Sequence, residues 1–89
     1  MRVITGSARG RNLASVEGME TRPTSQRTKE SIFNIIQFDI EGRHVLDLFA
    51  GTGQMGIEAL SRGAADAVFV DTRRDCADVI RKNLERTRF

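Results

Sequence analysis

Three glycines at the spacing Gly51-x-Gly53-x-x-Gly56 constrain this chain more than any other feature, because of what flanks them. Before them His44-Val45-Leu46-Asp47-Leu48-Phe49 is a nearly continuous apolar run, the pattern of a strand buried on both faces of a parallel sheet. After them a helical stretch runs through Ile57, Ala59 and Leu60 and ends near Gly63. Ala67-Val68-Phe69-Val70 reads as a second buried-type strand, and residues 75–88 repeat a helical stripe through Cys76, Val79, Ile80 and Leu84. The order is β-α-β-α, which predicts two parallel strands. Glycines between such a strand and helix form the tight turn, let a ligand approach bare backbone, and let the helix pack close to the sheet.

Two carboxylates sit in register with the glycines. Asp71 ends the second strand, twenty positions after Gly51, where an acid can accept hydrogen bonds from both hydroxyls of a ribose. That predicts an adenosine-type cofactor. Asp47 stands four residues before Gly51, where a pyrophosphate would be repelled by it. A cofactor with an ammonium and a sulfonium and no phosphate is favoured there instead, so Asp-x-Phe-x-Gly-x-Gly-x-x-Gly points to S-adenosyl-L-methionine and to methyl transfer. Asp47 can also cap the amides of the loop, and the two roles are compatible.

The N-terminal part carries the charge excess. Residues 1–30 hold six bases (Arg2, Arg9, Arg11, Arg22, Arg27, Lys29) against three acids, whereas residues 44–89 hold seven of each sign. Arginine supplies 12 of the 14 bases, and guanidinium groups suit phosphate and bases, though the same charges are common on solvated surfaces. Residues 1–16 read as a small β-hairpin with a basic tip, and residues 17–24 as an aperiodic loop in which Pro23 keeps Arg22 out of helical dihedrals. Thr24 or Ser25 caps a helix over 25–38 whose stripe is Ile32, Phe33, Ile35 and Ile36, with Arg27, Lys29 and Glu30 outside it. The division expected is a basic hairpin and loop over 1–24 and a partial cofactor domain over 25–89. With 89 residues, one Cys76 and no apolar run near the ~20 residues of a membrane span, a two-domain enzyme, a disulfide framework, a four-ligand zinc site and a transmembrane protein are all excluded; a cytoplasmic protein without a metal is expected. Cys76 lies on an apolar stripe and reads as core, and the lone His44 at a strand start reads as structural.

The sequence resembles the bacterial RsmD-type 16S ribosomal RNA guanine-N2 methyltransferases. The resemblance rests on Met1-Arg-Val-Ile-Thr-Gly6, Arg22-Pro23-Thr24-Ser25-x-Arg27-x-Lys29-Glu30-Ser31-x-Phe33-Asn34, Val45-Leu46-Asp47-Leu48-Phe49-Ala50-Gly51-Thr52-Gly53 and Glu58-Ala59-Leu60-Ser61-Arg62-Gly63-Ala64. It implies an α/β architecture that is the N-terminal half of a class I, Rossmann-like methyltransferase fold, S-adenosyl-L-methionine as donor, and a guanine exocyclic amine of 16S rRNA or the small ribosomal subunit as target. The cofactor-binding residues it implies are Asp47, Phe49, Gly51, Thr52, Gly53, Gly56 and Asp71, with Thr24 beside them. Arg2, Arg9, Arg11 and Arg22 would face RNA.

The departure from that family is equally informative. Its members are about twice as long and carry an Asp/Asn-Pro-Pro-Tyr motif that aligns and stacks the target base, whereas this chain has one Pro and no Tyr. The motif is expected beyond Phe89, after the second helix of the β-α-β-α unit. No catalytic residue is therefore assigned, and the 89-residue chain is expected to be silent alone. Alternatives are a cofactor- or RNA-binding module without catalysis, or part of an NAD-binding Rossmann enzyme. The 44–49 strand is expected to leave an apolar edge open to a second copy or to a C-terminal fragment.

Overall fold

The computed structural model describes residues 1–15, 25–48 and 50–89. Helix α1 (Gln26–Ile36) starts at Ser25, whose hydroxyl oxygen accepts the Thr28 backbone N–H at 3.1 Å, the bond an N-cap supplies to an otherwise orphan amide. It ends two residues before the predicted position, where the Asp39 N–H bonds back to the Ile36 carbonyl at 2.8 Å and tightens the chain into a turn. Then follow β1 (His44–Leu48), α2 (Gln54–Ser61), β2 (Asp66–Val70) and α3 (Arg74–Thr87). The two strands are parallel, with His44 opposite Asp66 and Leu48 opposite Val70. Helix α2 lies against both strands and touches α3.

Helix α3 stops one residue short of the predicted 88. Arg88 turns into the left-handed region at φ 63°, and the Phe89 N–H bonds back to the Leu84 carbonyl at 2.9 Å, which satisfies an orphan acceptor of the last turn. Phe89 thus belongs to the close of α3, and the residue is 45% exposed.

Three expectations are corrected. The first concerns the sheet, predicted to be buried on both faces. Val45, Asp47, Ala67 and Phe69 are half-buried under the helices, but the alternate residues Leu46, Leu48, Val68 and Val70 are exposed, Leu46 to 60%. Successive side chains of a strand point to opposite faces, and among the described residues the helices pack on only one of them.

The second correction concerns α1. Phe33 is buried, with Ile40 and Ala59 as neighbours and Val45 packed against them, but Ile35 is 81% exposed and Ile32 and Ile36 are also on the surface. Lys29, read as lying outside the stripe, is fully buried. The helix turns its Lys29–Phe33 line inward because the Lys29 ammonium finds two partners there: it donates to the Arg2 carbonyl at 2.8 Å and lies 3.6 Å from Glu58. Ile32 and Ile36 instead line a groove of about 480 Å³ between α1 and β1, whose other walls include Ile40, Val45, Leu48 and Met55.

The third concerns the N-terminal hairpin, which has one isolated antiparallel bridge, Arg2 to Asn12, in place of two strands. Backbone bonds Val3 N–H to Arg11 O, Gly10 N–H to Val3 O and Leu13 N–H to Met1 O hold the ribbon closed. Its side chains explain why so short a ribbon persists. Val3, Ala8 and Leu13 form one buried cluster with Ile57 of α2, and Phe69 and Leu84 pack against it. The predicted end at Val16 lies outside the described residues, as does the loop through 24. No helix among the described residues is long and apolar enough to cross a membrane.

Candidate functional site

The glycine turn connects the carboxyl end of β1 to α2. The Ala50 N–H bonds to the Val70 carbonyl at 2.9 Å, extending the strand pairing past Leu48, and the Gly53 N–H closes onto the Ala50 carbonyl at 2.8 Å. Gly51 and Gly53 have φ of 58° and 80°, a left-handed backbone that a side chain would strain. Gly56 serves a different purpose: a Cβ there would lie 2.3 Å from the Phe69 ring, so only a bare backbone lets α2 settle this close to β2.

Both predicted carboxylates flank this turn, and each is held by its amides. Asp47 Oδ2 accepts the Gly56 N–H at 3.0 Å, in the first turn of α2. Asp71 Oδ2 accepts the Gly51 N–H at 2.9 Å and its Oδ1 accepts the Arg73 N–H at 3.0 Å. Their protonation is displaced in opposite directions. Burial pushes the Asp47 carboxyl above its ordinary range, only partly opposed by the Gly56 amide and reinforced by the negative charge of Asp71. The Arg73 and Gly51 amides hold Asp71 below the ordinary range. The charge of Arg73 adds only the smallest part of this lowering, because its guanidinium forks onto Asp75 at 3.0 and 2.6 Å.

Asp47, Gly51, Gly53, Gly56 and Asp71 are thus brought to one end of the sheet. Thr52 is in the same turn but its side chain is buried, the hydroxyl 3.5 Å from the Met1 sulfur. Phe49, Thr24 and Arg22 lie outside the described residues. Arg2, Arg9 and Arg11 are exposed on the N-terminal ribbon. Arg2 and Arg9 line one depression together with Gln26 and Glu30, and Arg11 does not line it. Cys76 is buried in α3, and the exposed His44 pairs across the strands with Asp66 at 2.7 Å.

Two buried polar centres were not foreseen. Glu58 of α2 accepts the Ile4 and Thr5 N–H groups at 2.8 and 3.0 Å and pairs with Arg62 at 2.9 Å besides Lys29. Arg62 in turn stacks over Phe33, 4.8 Å from the ring centre. Asn83 of α3 is fully buried and hydrogen-bonds both to the ribbon at Ala14 and to the turn at Thr52. The available signal was positional: Lys29 stands four residues before Phe33, and Asn83 falls on the Cys76–Ile80 stripe.

A parallel strand–glycine turn–helix–strand unit with an acid at each strand end defines a class, and comparison with solved structures agrees: the Escherichia coli protein named "putative methyltransferase yhhF" superposes with a TM-score of 0.84 at 41% identity over 96% of this chain and 46% of that one. The architecture is that of a partial Rossmann-like methyltransferase fold. The family model described as conserved hypothetical protein 95 matches residues 1–89, and the chain belongs to that family, the RsmD family. YlbH of Bacillus subtilis is 51% identical over 96% of this chain, and ribosomal RNA small subunit methyltransferase D of Haemophilus influenzae is 40% identical over 96%. The chain spans 46% and 44% of these two relatives.

Proposed function

We propose that these residues form the S-adenosyl-L-methionine cradle of an RNA methyltransferase whose target is the exocyclic N2 of a guanine in 16S rRNA. The observation that carries the reading is the pair of carboxylates astride a turn of left-handed glycines. The donor set fits the cofactor. Asp71 is held ionised, and its oxygens accept one backbone amide each and the Cys76 thiol, which leaves acceptor capacity for a ribose hydroxyl. Asp47 is an acid whose burial makes a cationic neighbour welcome and a pyrophosphate hostile. This favours the sulfonium cofactor over NAD. When bound, the cofactor supplies an electrophilic methyl group, while the chain's own residues bind and orient it.

The relatives named for ribosomal RNA support the RNA substrate class, as does the exposure of Arg2, Arg9 and Arg11 on one ribbon. The lone pair of a guanine amine is delocalised into the ring, so attack on the methyl needs hydrogen-bonded alignment of the base. No such group is assigned within these 89 residues, which have one Pro and no Tyr. The chain alone is therefore expected to bind without turnover; multiple turnovers on unmethylated 30S subunits with tritiated cofactor would refute that expectation. The cradle itself is tested by calorimetry with S-adenosylhomocysteine. Binding is expected, weakened at least roughly tenfold in Asp71→Ala, the loss of about 1.4 kcal/mol that a charged hydrogen bond to the ribose represents. NAD binding indifferent to S-adenosylhomocysteine would contradict the assignment.

A further inference from the structure

Asn83 is a side chain that touches both halves of the proposed machinery. Its Oδ1 accepts the Ala14 N–H at 2.7 Å, and its Nδ2 donates to the Ala14 carbonyl at 3.0 Å and to the Thr52 carbonyl at 2.9 Å. The amide thus clamps both polar groups of one peptide residue at the end of the arginine-bearing ribbon, and with its second Nδ2 hydrogen holds the middle carbonyl of the glycine turn. The side chain has no exposed surface, so water is not at hand to replace any of these bonds. Its own position is fixed by α3, where the Thr87 hydroxyl donates to the Asn83 carbonyl at 2.8 Å.

Other features carry less. The groove between α1 and β1 and the open sheet face are apolar surfaces without an indicated occupant, and the depression at Arg2 and Arg9 includes Glu30 among its walls, which opposes an anion. The Asn83 clamp, by contrast, consists of three short bonds with defined partners on two separate segments.

We infer that Asn83 is a positioning residue that couples RNA binding on the N-terminal ribbon to cofactor binding in the glycine turn. This rests on the function proposed above. Docking of the ribbon orients the amide so that Nδ2 meets Thr52, and a turn held in its left-handed conformation presents that carbonyl to Nδ2. The three bonds are formed together in the structure, so each ligand, by stiffening its own segment, stiffens through Asn83 the segment that the other binds. Linkage makes the effect reciprocal: the factor by which RNA tightens cofactor binding is the factor by which cofactor tightens RNA binding.

The test measures S-adenosylhomocysteine affinity of the full 89-residue chain by calorimetry, with and without an unmethylated 16S rRNA transcript. In the unsubstituted protein the RNA is expected to tighten binding by about fivefold or more, the lower end of typical coupling. In Asn83→Ser, and in Ala14→Pro, which removes the donor on the ribbon side alone, each ligand should still bind by itself while the coupling falls to within about twofold of unity. A residue that merely stabilised the fold would lower both affinities together and leave the ratio unchanged. Circular dichroism checks that each variant is folded; should one unfold, the unsubstituted protein and the other variant decide. Equal affinity with and without RNA in the unsubstituted protein, or undiminished coupling in the variants, overturns the inference. Failure of the unsubstituted protein to bind either ligand alone would overturn the proposed function itself, and this inference with it.

Discussion

Asp47 and Asp71 are the same chemical group in one site, and their surroundings drive them apart. A raised folded pKa means that the native state binds the proton more tightly than the unfolded chain. Asp47 therefore subtracts stability as pH rises from its ordinary value of 3.8 through its raised one. Asp71 does the reverse: its contribution is present above 3.8 and lost as pH falls through its lowered value. Acidification from neutrality is expected first to raise the ligand-free melting temperature slightly and then to lower it. Asp47→Asn should remove the initial rise and melt no lower than the unsubstituted protein at neutral pH, yet bind S-adenosylmethionine roughly tenfold more weakly, the equivalent of one partly buried charge interaction. Melting curves and calorimetry on the same samples check both. Both residues were legible from their spacing to Gly51, because parallel strand ends bring an acid and a glycine turn together whatever lies between. Their amide partners and opposite protonation were not, since these depend on where the turn points its N–H groups.

Among the elements, α1 shows how a sequence pattern is overruled. Its isoleucines form an ordinary amphipathic stripe, but the helix is rotated by a buried ion pair that periodicity cannot register. Lys29 and Glu58 have 0% side-chain exposure, and burial lowers the Lys29 pKa despite the favourable charge of Glu58. Two charges out of water hold only while both are present. Glu58→Gln is expected to cost about 3–5 kcal/mol, the range for stranding one member of a buried pair, which is a large fraction of the ~5–15 kcal/mol that keeps a domain folded. Urea denaturation should find the variant largely unfolded. Lys29→Met should cost less, because Glu58 retains Arg62 and two backbone amides. Helix and strand identities were readable from α1 to α3, with ends shifted by one or two residues where a turn bond competed, as at Asp39 and Phe89, but not in the N-terminal ribbon, where one bridge stands for two expected strands. The polar brackets that fix their rotations were not, because their partners lie 27 to 69 positions away in sequence.

Taken together, the elements among the described residues cover one side of a two-stranded sheet and leave the other side apolar. Leu46, Leu48, Val68 and Val70 present a contiguous surface of a kind that soluble proteins rarely leave open. The chain is expected to self-associate through it, with scattered light rising with concentration. Leu48→Lys combined with Val68→Lys should return the mass to that of one chain and leave the glycine turn intact; equal mass in both proteins would show that the face does not associate. The interior also imposes an order in time. During synthesis Ile4 and Ala14 precede the groups that satisfy them, because Glu58 and Asn83 are made 54 and 69 residues later. At about 5–20 residues per second the ribbon waits roughly 3 to 14 seconds for its anchors. The ribbon thus takes its place after elements that are made later than it, on a turn that already exists.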